Sequence, residues 1–168
     1  RLVEGERLVR RGGWKGWALD FMLGMELGGK QLGIIGRGRI GRAVAARAPA
    51  FGMTAVFMAR EGRPALDLPE MSLDELLVSS DVISIHTPLT PSTRHLIDKR
   101  ALARMKRSAY LVNTARGPVV DEEALARQLE AYWRARSEGG GELEAALSVS
   151  EPEARVFAEE IVRGVASR

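Results

Sequence analysis

The residues whose types and order most directly suggest chemistry are Gly36-Arg37-Gly38-Arg39-Ile40-Gly41, a G-x-G-x-x-G run. Glycines at this spacing suit an anionic ligand. Gly36 allows a tight turn, Gly38 lets a pyrophosphate approach the backbone, and Gly41 lets a helix pack closely on a strand. A helix starting there turns unpaired N–H groups and a partial positive charge toward a phosphate. The surroundings agree. An apolar run at 31–35 precedes the glycines, Ile40, Val44, Ala45 and Ala48 then share one helical face, and a second apolar run covers 53–58. A dinucleotide-binding turn built from Gly36, Arg37, Gly38, Arg39, Ile40 and Gly41 is therefore expected. A purely structural glycine-rich turn is the plain alternative.

The end of the second apolar run bears on which dinucleotide is bound. An NAD site usually places Asp or Glu there for the ribose hydroxyls, whereas here the residue is Ala59, followed by Arg60-Glu61-Gly62-Arg63. Without that carboxylate a 2′-phosphate is not repelled, and Arg60 and Arg63 can pair with it. NADP is the expected cofactor. NAD is the alternative, with Glu61 as ribose ligand. Cysteine is absent, which removes disulfides, thiolate nucleophiles and Cys-ligated zinc. With two histidines, His86 and His95, no metal site is expected.

The elements that position these residues alternate. Residues 1–11 read as a helix with Leu2, Val3 and Leu8 on one face. Strands are expected at 31–35, 53–58, 82–85 and 109–112, and a last one at 143–149. Helices are expected from Ile40 to near Gly52, from Ser72 (with Glu75 completing a capping box), over 98–105 behind an Asp98 cap, over 121–136, and over 151–165. Residues 60–70 read as loop, and 137–141 as a glycine-rich break. Short apolar strands alternating with helices give an α/β, Rossmann-type, doubly wound parallel sheet with helices on both faces. At 168 residues one dinucleotide-binding domain, 1–168, is expected, with an entry helix segment at 1–30 and the Rossmann core at 31–168.

The composition supports an ordinary globular domain, 45% hydrophobic and 28% charged. The net charge of +3 is spread along the chain, and aromatics at 5% are too sparse for a base-stacking platform, so no nucleic-acid partner is expected. No apolar run approaches the roughly 20 residues of a membrane span, and the N-terminus lacks a signal-peptide core. A cytoplasmic location without membrane contact follows as an expectation. The chain opens on Arg1 rather than Met, which reads as a piece of something longer.

Four segments together carry a resemblance: 33–41, 73–77, 86–97 (His86-Thr87-Pro88-Leu89-Thr90-Pro91 and onward), and 111–122 (Leu111-Val112-Asn113-Thr114-Ala115-Arg116-Gly117 and onward). In order and content they resemble the D-isomer-specific 2-hydroxyacid dehydrogenases, most closely the glyoxylate/hydroxypyruvate reductase branch. Trp14-Lys15-Gly16-Trp17 matches the usual lead-in to that family's cofactor domain. The resemblance implies hydride transfer between a nicotinamide cofactor and a 2-oxoacid such as glyoxylate or hydroxypyruvate. It also implies an arginine on the substrate carboxylate and a His–Glu pair for the proton. Arg116 matches the arginine, and guanidinium chemistry suits bidentate grip on a carboxylate. Thr87, Pro88, Thr114 and Ala115 match positions lining the nicotinamide side. His86 belongs to the same pocket motif as a packing or cofactor contact, and His95 is expected on a helix surface. The resemblance implies a homodimer through the cofactor domain as well, with 1–30 as its arm, for which Trp14, Trp17, Phe21, Met22 and Met25 are suited, packing on their own domain being the plain alternative.

The resemblance weakens after Leu129. Ser148 stands where an Asp toward the nicotinamide amide is expected, and Glu153 aligns without gaps with the Glu that orients the catalytic His, although Glu151 is the one that precedes Pro. The segment carrying that His is not matched, and most of the substrate domain is not represented. Little or no turnover is therefore expected from this polypeptide alone, and a non-catalytic dinucleotide-binding or assembly module is the competing reading.

Overall fold

The computed structural model describes residues 2–19, 21–59 and 68–138. The elements are α1 (Leu2–Arg10), β1 (Gln31–Ile35), α2 (Arg39–Arg47), β2 (Thr54–Met58), β3 (Glu70–Met71), α3 (Leu73–Ser79), β4 (Val82–Ile85), α4 (Lys99–Arg104), β5 (Tyr110–Asn113) and α5 (Glu122–Glu138). Among the described residues the strands form a five-stranded sheet in the order β3-β2-β1-β4-β5. Every pairing is parallel, with Gly33 of β1 opposite Val56 of β2 and Ile83 of β4.

Strand alternation sorts the core into two layers. Leu32, Ile34 and Phe57 face Ala45 and Ala48 of the α2 region. Ile35, Val56, Ile83 and Ile85 face Leu76 and Leu77 of α3, Ala101 and Leu102 of α4, and Ala124 of α5. The central strands are thus covered on both faces, which is why their sequences are predominantly apolar, with Ser84 a buried exception in β4. The expected fold class is the observed one.

Helix starts follow local chemistry. Ser72 Oγ accepts from the Glu75 N–H while the Ser72 N–H donates to Glu75 Oε2 at 2.9 Å, a complete capping box. Asp98 Oδ1 accepts from Ala101 N at 2.8 Å, and Asp121 Oδ1 accepts from Ala124 N at 2.9 Å. After α2 a 3₁₀ turn at Ala48–Phe51 ends on Gly52 in the left-handed region, where the helix was expected to stop.

Four expectations require correction. In α1 only Leu8 is buried, while Leu2 and Val3 are exposed. At about 100° per residue they lie roughly 240° and 140° around the helix from Leu8, so the three never shared a face. The 60–70 loop ends in β3, because Glu70 and Met71 pair with Phe57 and Met58. Helix α5 runs on through Ser137 and Glu138. His95 lies in a turn with φ 51° and not on a helix; its N–H donates to Pro118 O at 2.8 Å. The expected strand at 143–149 and helix at 151–165 lie outside the described residues.

Candidate functional site

The order β3-β2-β1-β4-β5 reverses direction between β1 and β4, and open α/β sheets bind ligands beyond the carboxyl ends of the strands at such a point. The glycine-rich turn leaves β1 there. Gly36 has φ 111°, and a Cβ on it would lie 2.5 Å from the carbonyl oxygen of His86 and 2.8 Å from Thr87 N. Backbone therefore meets backbone across the β1–β4 crevice, and only glycine fits. A Cβ on Gly41 would strike Gly36 O, so the first turn of α2 rests directly on the glycine turn. Gly38 differs: its φ is −74°, and a Cβ there would have nothing within 4 Å. Its open side is the space a ligand needs.

Helix α2 begins at Gly38 with no side-chain cap and no acidic residue in its first turn. The starts of α3, α4 and α5 are met by Ser72, Asp98 and Asp121. The first N–H groups of an uncapped helix are left for an external acceptor, and the helix dipole favours an anion there. Arg39 and Arg42 add positive charge, and Arg42 Nε donates to Arg37 O at 3.3 Å. The open side of Gly38, the uncapped start of α2 and the nearby Arg39 and Arg42 fit a pyrophosphate.

His86 follows β4 and is half-buried. Its Nε2 lies 2.9 Å from Ser84 Oγ, and its Nδ1 lies 3.3 Å from Thr114 Oγ1 beyond β5. Burial pushes the imidazole below its ordinary value of 6.5, so the ring is neutral at neutral pH. It joins the β4 and β5 loops through hydroxyl contacts and carries no charge to a ligand. Thr87 is buried behind the glycine turn and Pro88 is exposed beside it. Thr93 Oγ1 donates to Pro88 O at 2.7 Å and accepts from Thr90 N at 2.8 Å, which fixes this loop.

Beyond β5, Asn113 organises the loop. Its Oδ1 accepts from Ala115 N at 3.0 Å and its Nδ2 donates to Arg116 O at 2.8 Å. Arg116 is exposed, its guanidinium donating to Ala115 O at 2.8 Å, and no carboxylate among the described residues pairs with it. Asn113 thus shapes the loop that carries Arg116, a role readable in the sequence as an Asx-turn signal.

The structure brings Gly36, Gly38, Gly41, His86, Thr87, Thr114 and their neighbours to one edge of the sheet. Arg37 departs from expectation: its guanidinium turns to Glu70, with Nη1 to Oε1 at 2.6 Å. Ala59 stands just past β2 as anticipated, its N–H donating to Met71 O at 2.7 Å. Arg60, Arg63, Ser148 and Glu153 lie outside the described residues. Among the described residues no group of three or more His, Asp or Glu could hold a metal ion, and no helix is long and apolar enough to cross a membrane.

This is the geometry of a Rossmann-type dinucleotide-binding domain. Comparison with known proteins narrows the class. Residues 1–136 match the family described as D-isomer specific 2-hydroxyacid dehydrogenase, NAD binding domain. Glyoxylate reductase of Thermofilum pendens is 46% identical over 139 residues, which is 79% of this chain and 41% of that protein. Among solved structures, the TT0316 protein of Thermus thermophilus superposes with a TM-score of 0.71 at 52% identity, covering 77% of this chain and 42% of that one. D-Lactate dehydrogenase of Aquifex aeolicus, complexed with NAD and lactic acid, gives 0.68 at 41% identity, covering 77% and 39%. The chain belongs to the D-isomer-specific 2-hydroxyacid dehydrogenase family as its nicotinamide dinucleotide-binding domain, and it spans about two fifths of the length of these relatives.

Proposed function

We propose that this chain is the cofactor-holding part of an NADP-preferring reductase that interconverts a small 2-oxoacid, such as glyoxylate or hydroxypyruvate, with its D-2-hydroxyacid. The observation that carries the reading is the Gly36–His86 backbone contact at the β1–β4 crevice, with the open Gly38 at the uncapped start of α2. The N–H groups around Gly38, Arg39 and Ile40 would hold the pyrophosphate. Thr87, Pro88, Thr114 and Ala115 would line the nicotinamide side, and His86 would keep the two loops in register. When bound, the nicotinamide supplies hydride to the carbonyl carbon. Arg116, exposed at the rim, would orient the substrate carboxylate and stabilise negative charge on the carbonyl oxygen. Glu153 would orient the group that delivers the proton.

Support for NADP over NAD is Ala59 at the end of β2, followed in sequence by Arg60 and Arg63. Exposed Trp14 and Trp17 in the 1–30 arm support assembly with a second copy, the domain proper being 31–168. A micromolar sample that sediments as a monomer would count against the dimer.

The two histidines favour binding without turnover for this polypeptide taken alone. His86 is held between two hydroxyl groups, and His95 lies on an exposed turn beside Pro118. Calorimetric titration with NADPH and, separately, NADH tests the reading. Tighter NADPH binding that Arg60→Ala weakens is the expected result. Tighter NADH binding would discard NADP, and binding of neither would discard the cofactor role. Robust oxoacid-dependent NADPH oxidation by the purified chain would overturn the inactivity.

A further inference from the structure

The ion pair between Arg37 and Glu70 joins residues 33 positions apart in the chain, with side chains only 16% and 15% exposed. Its path is informative. Arg37 belongs to the turn after β1, and Glu70 opens β3. Between those strands lies β2, hydrogen-bonded to both. Neighbouring strands lie about 4.8 Å apart, so the Arg37 and Glu70 side chains together span the roughly 10 Å over the carboxyl end of β2. In a Rossmann sheet that is where the ribose hydroxyls of the adenosine are read. Glu70 pairs with Phe57, and Met71 O takes the Ala59 N–H at 2.7 Å, so β3 is bound to β2 at this very end.

We propose that the Arg37–Glu70 pair sets discrimination between a ribose 2′-hydroxyl and a 2′-phosphate, with Glu70 the positioning residue that holds Arg37 across β2 and offsets its charge. Resting on the dinucleotide reading above, it adds a selectivity element outside the Arg60–Arg63 segment. A carboxylate at this place disfavours the doubly charged phosphate, and a guanidinium favours it. The native pair presents nearly balanced charge, so removing either partner shifts selectivity in opposite directions.

The test is the ratio of Kd for NADH to Kd for NADPH, measured by calorimetry on the whole chain. Glu70→Gln keeps the shape and an acceptor for Arg37 but removes the negative charge. The ratio should rise about three- to tenfold and fall back toward the native value in high salt. Arg37→Gln should lower the ratio by a similar factor. A merely structural pair would weaken both cofactors together and leave the ratio unchanged in both variants, which overturns the proposal. If Glu70→Gln does not fold, Arg37→Gln carries the test by the sign of its shift. If circular dichroism shows both variants unfolded, the pair is a fold element and the proposal is overturned. If the native chain binds neither dinucleotide, the dinucleotide reading fails and takes this proposal with it. Native binding with unmoved ratios sinks the proposal alone.

Discussion

Alanine at Gly38 should leave the fold nearly intact and disable ligand binding, whereas alanine at Gly36 should do its damage to the fold. Gly38 has φ −74° and ψ −170°, which any residue adopts, and its added methyl would meet nothing within 4 Å. Alanine caps a helix somewhat less well than glycine, so Gly38→Ala should cost about 0.5–1 kcal/mol and lower Tm by about 1–4 °C. The same methyl would stand where a pyrophosphate must reach the N–H groups of α2. Losing one or two charge-assisted bonds, at about 1.5–3 kcal/mol each, raises Kd at least 10- to 150-fold. Gly36 has φ 111°, and its methyl would lie 2.5 Å from His86 O. Backbone strain of about 1–3 kcal/mol is joined by a comparable steric cost, because both partners are main chain. Thermal melts of the free variants, followed by NADPH and NADH calorimetry at a temperature where each is folded, separate the two effects. A Gly38→Ala chain that binds like the native one would refute the placement of the ligand. A Gly36→Ala chain that melts no lower than Gly38→Ala would refute the contact with β4.

Two further predictions concern pH and helix capping. Burial lowers the folded pKa of His86, so below the ordinary 6.5 the unfolded chain takes up a proton that the folded one resists. Stability from this group is thus complete above pH 6.5 and declines as pH falls from there toward the folded value. His86→Gln should flatten Tm between pH 7 and 5.5, and an unchanged slope would contradict the assignment. Asp81 and Glu75 are both held below their ordinary values, Asp81 chiefly by the Gln31 N–H and then Lys106, Glu75 chiefly by the Ser72 hydroxyl. Their contributions persist above the ordinary values of 3.8 and 4.5 and fade only as pH drops below them, outside the His86 window. Ser72→Ala removes the capping box that starts α3 and should destabilise by about 1 kcal/mol in denaturant melts, with dinucleotide affinity unchanged.

The strand, glycine turn, helix and strand from Gln31 to Met58 were legible because apolar runs of strand length end at residues that stop or turn the chain. The caps at Ser72 and Asp98 were legible for a similar reason: the signal lies within four residues. What escaped was non-local. Glu70 and Met71 follow Pro69 and have no periodicity of their own, and β3 exists only because β2 offers it an edge. The Arg37–Glu70 pair depends on that edge, so a reading of Arg37 as a free phosphate ligand could not foresee it. His95 lies just before α4 without joining it. Its left-handed backbone comes from the parallel bridge between Ile97 and Val120, which pulls the preceding residues into a turn.

The layered core has a consequence for how the domain opens. Strand β1 is hydrogen-bonded on both sides, and Ile34 and Ile35 face opposite core layers, so its amides should exchange only in global unfolding. Among the described residues protection should decline outward, to β3 with two residues on one flank and to β5 with exposed Tyr110 and Val112 on the other. The glycine turn grows from the most protected strand, while Glu70 and Thr114 sit at the least protected flanks. A dinucleotide laid along the carboxyl edge would therefore bridge slow and fast regions. Its arrival should register in hydrogen exchange chiefly as slowing at the flanks, far from the phosphates that anchor it.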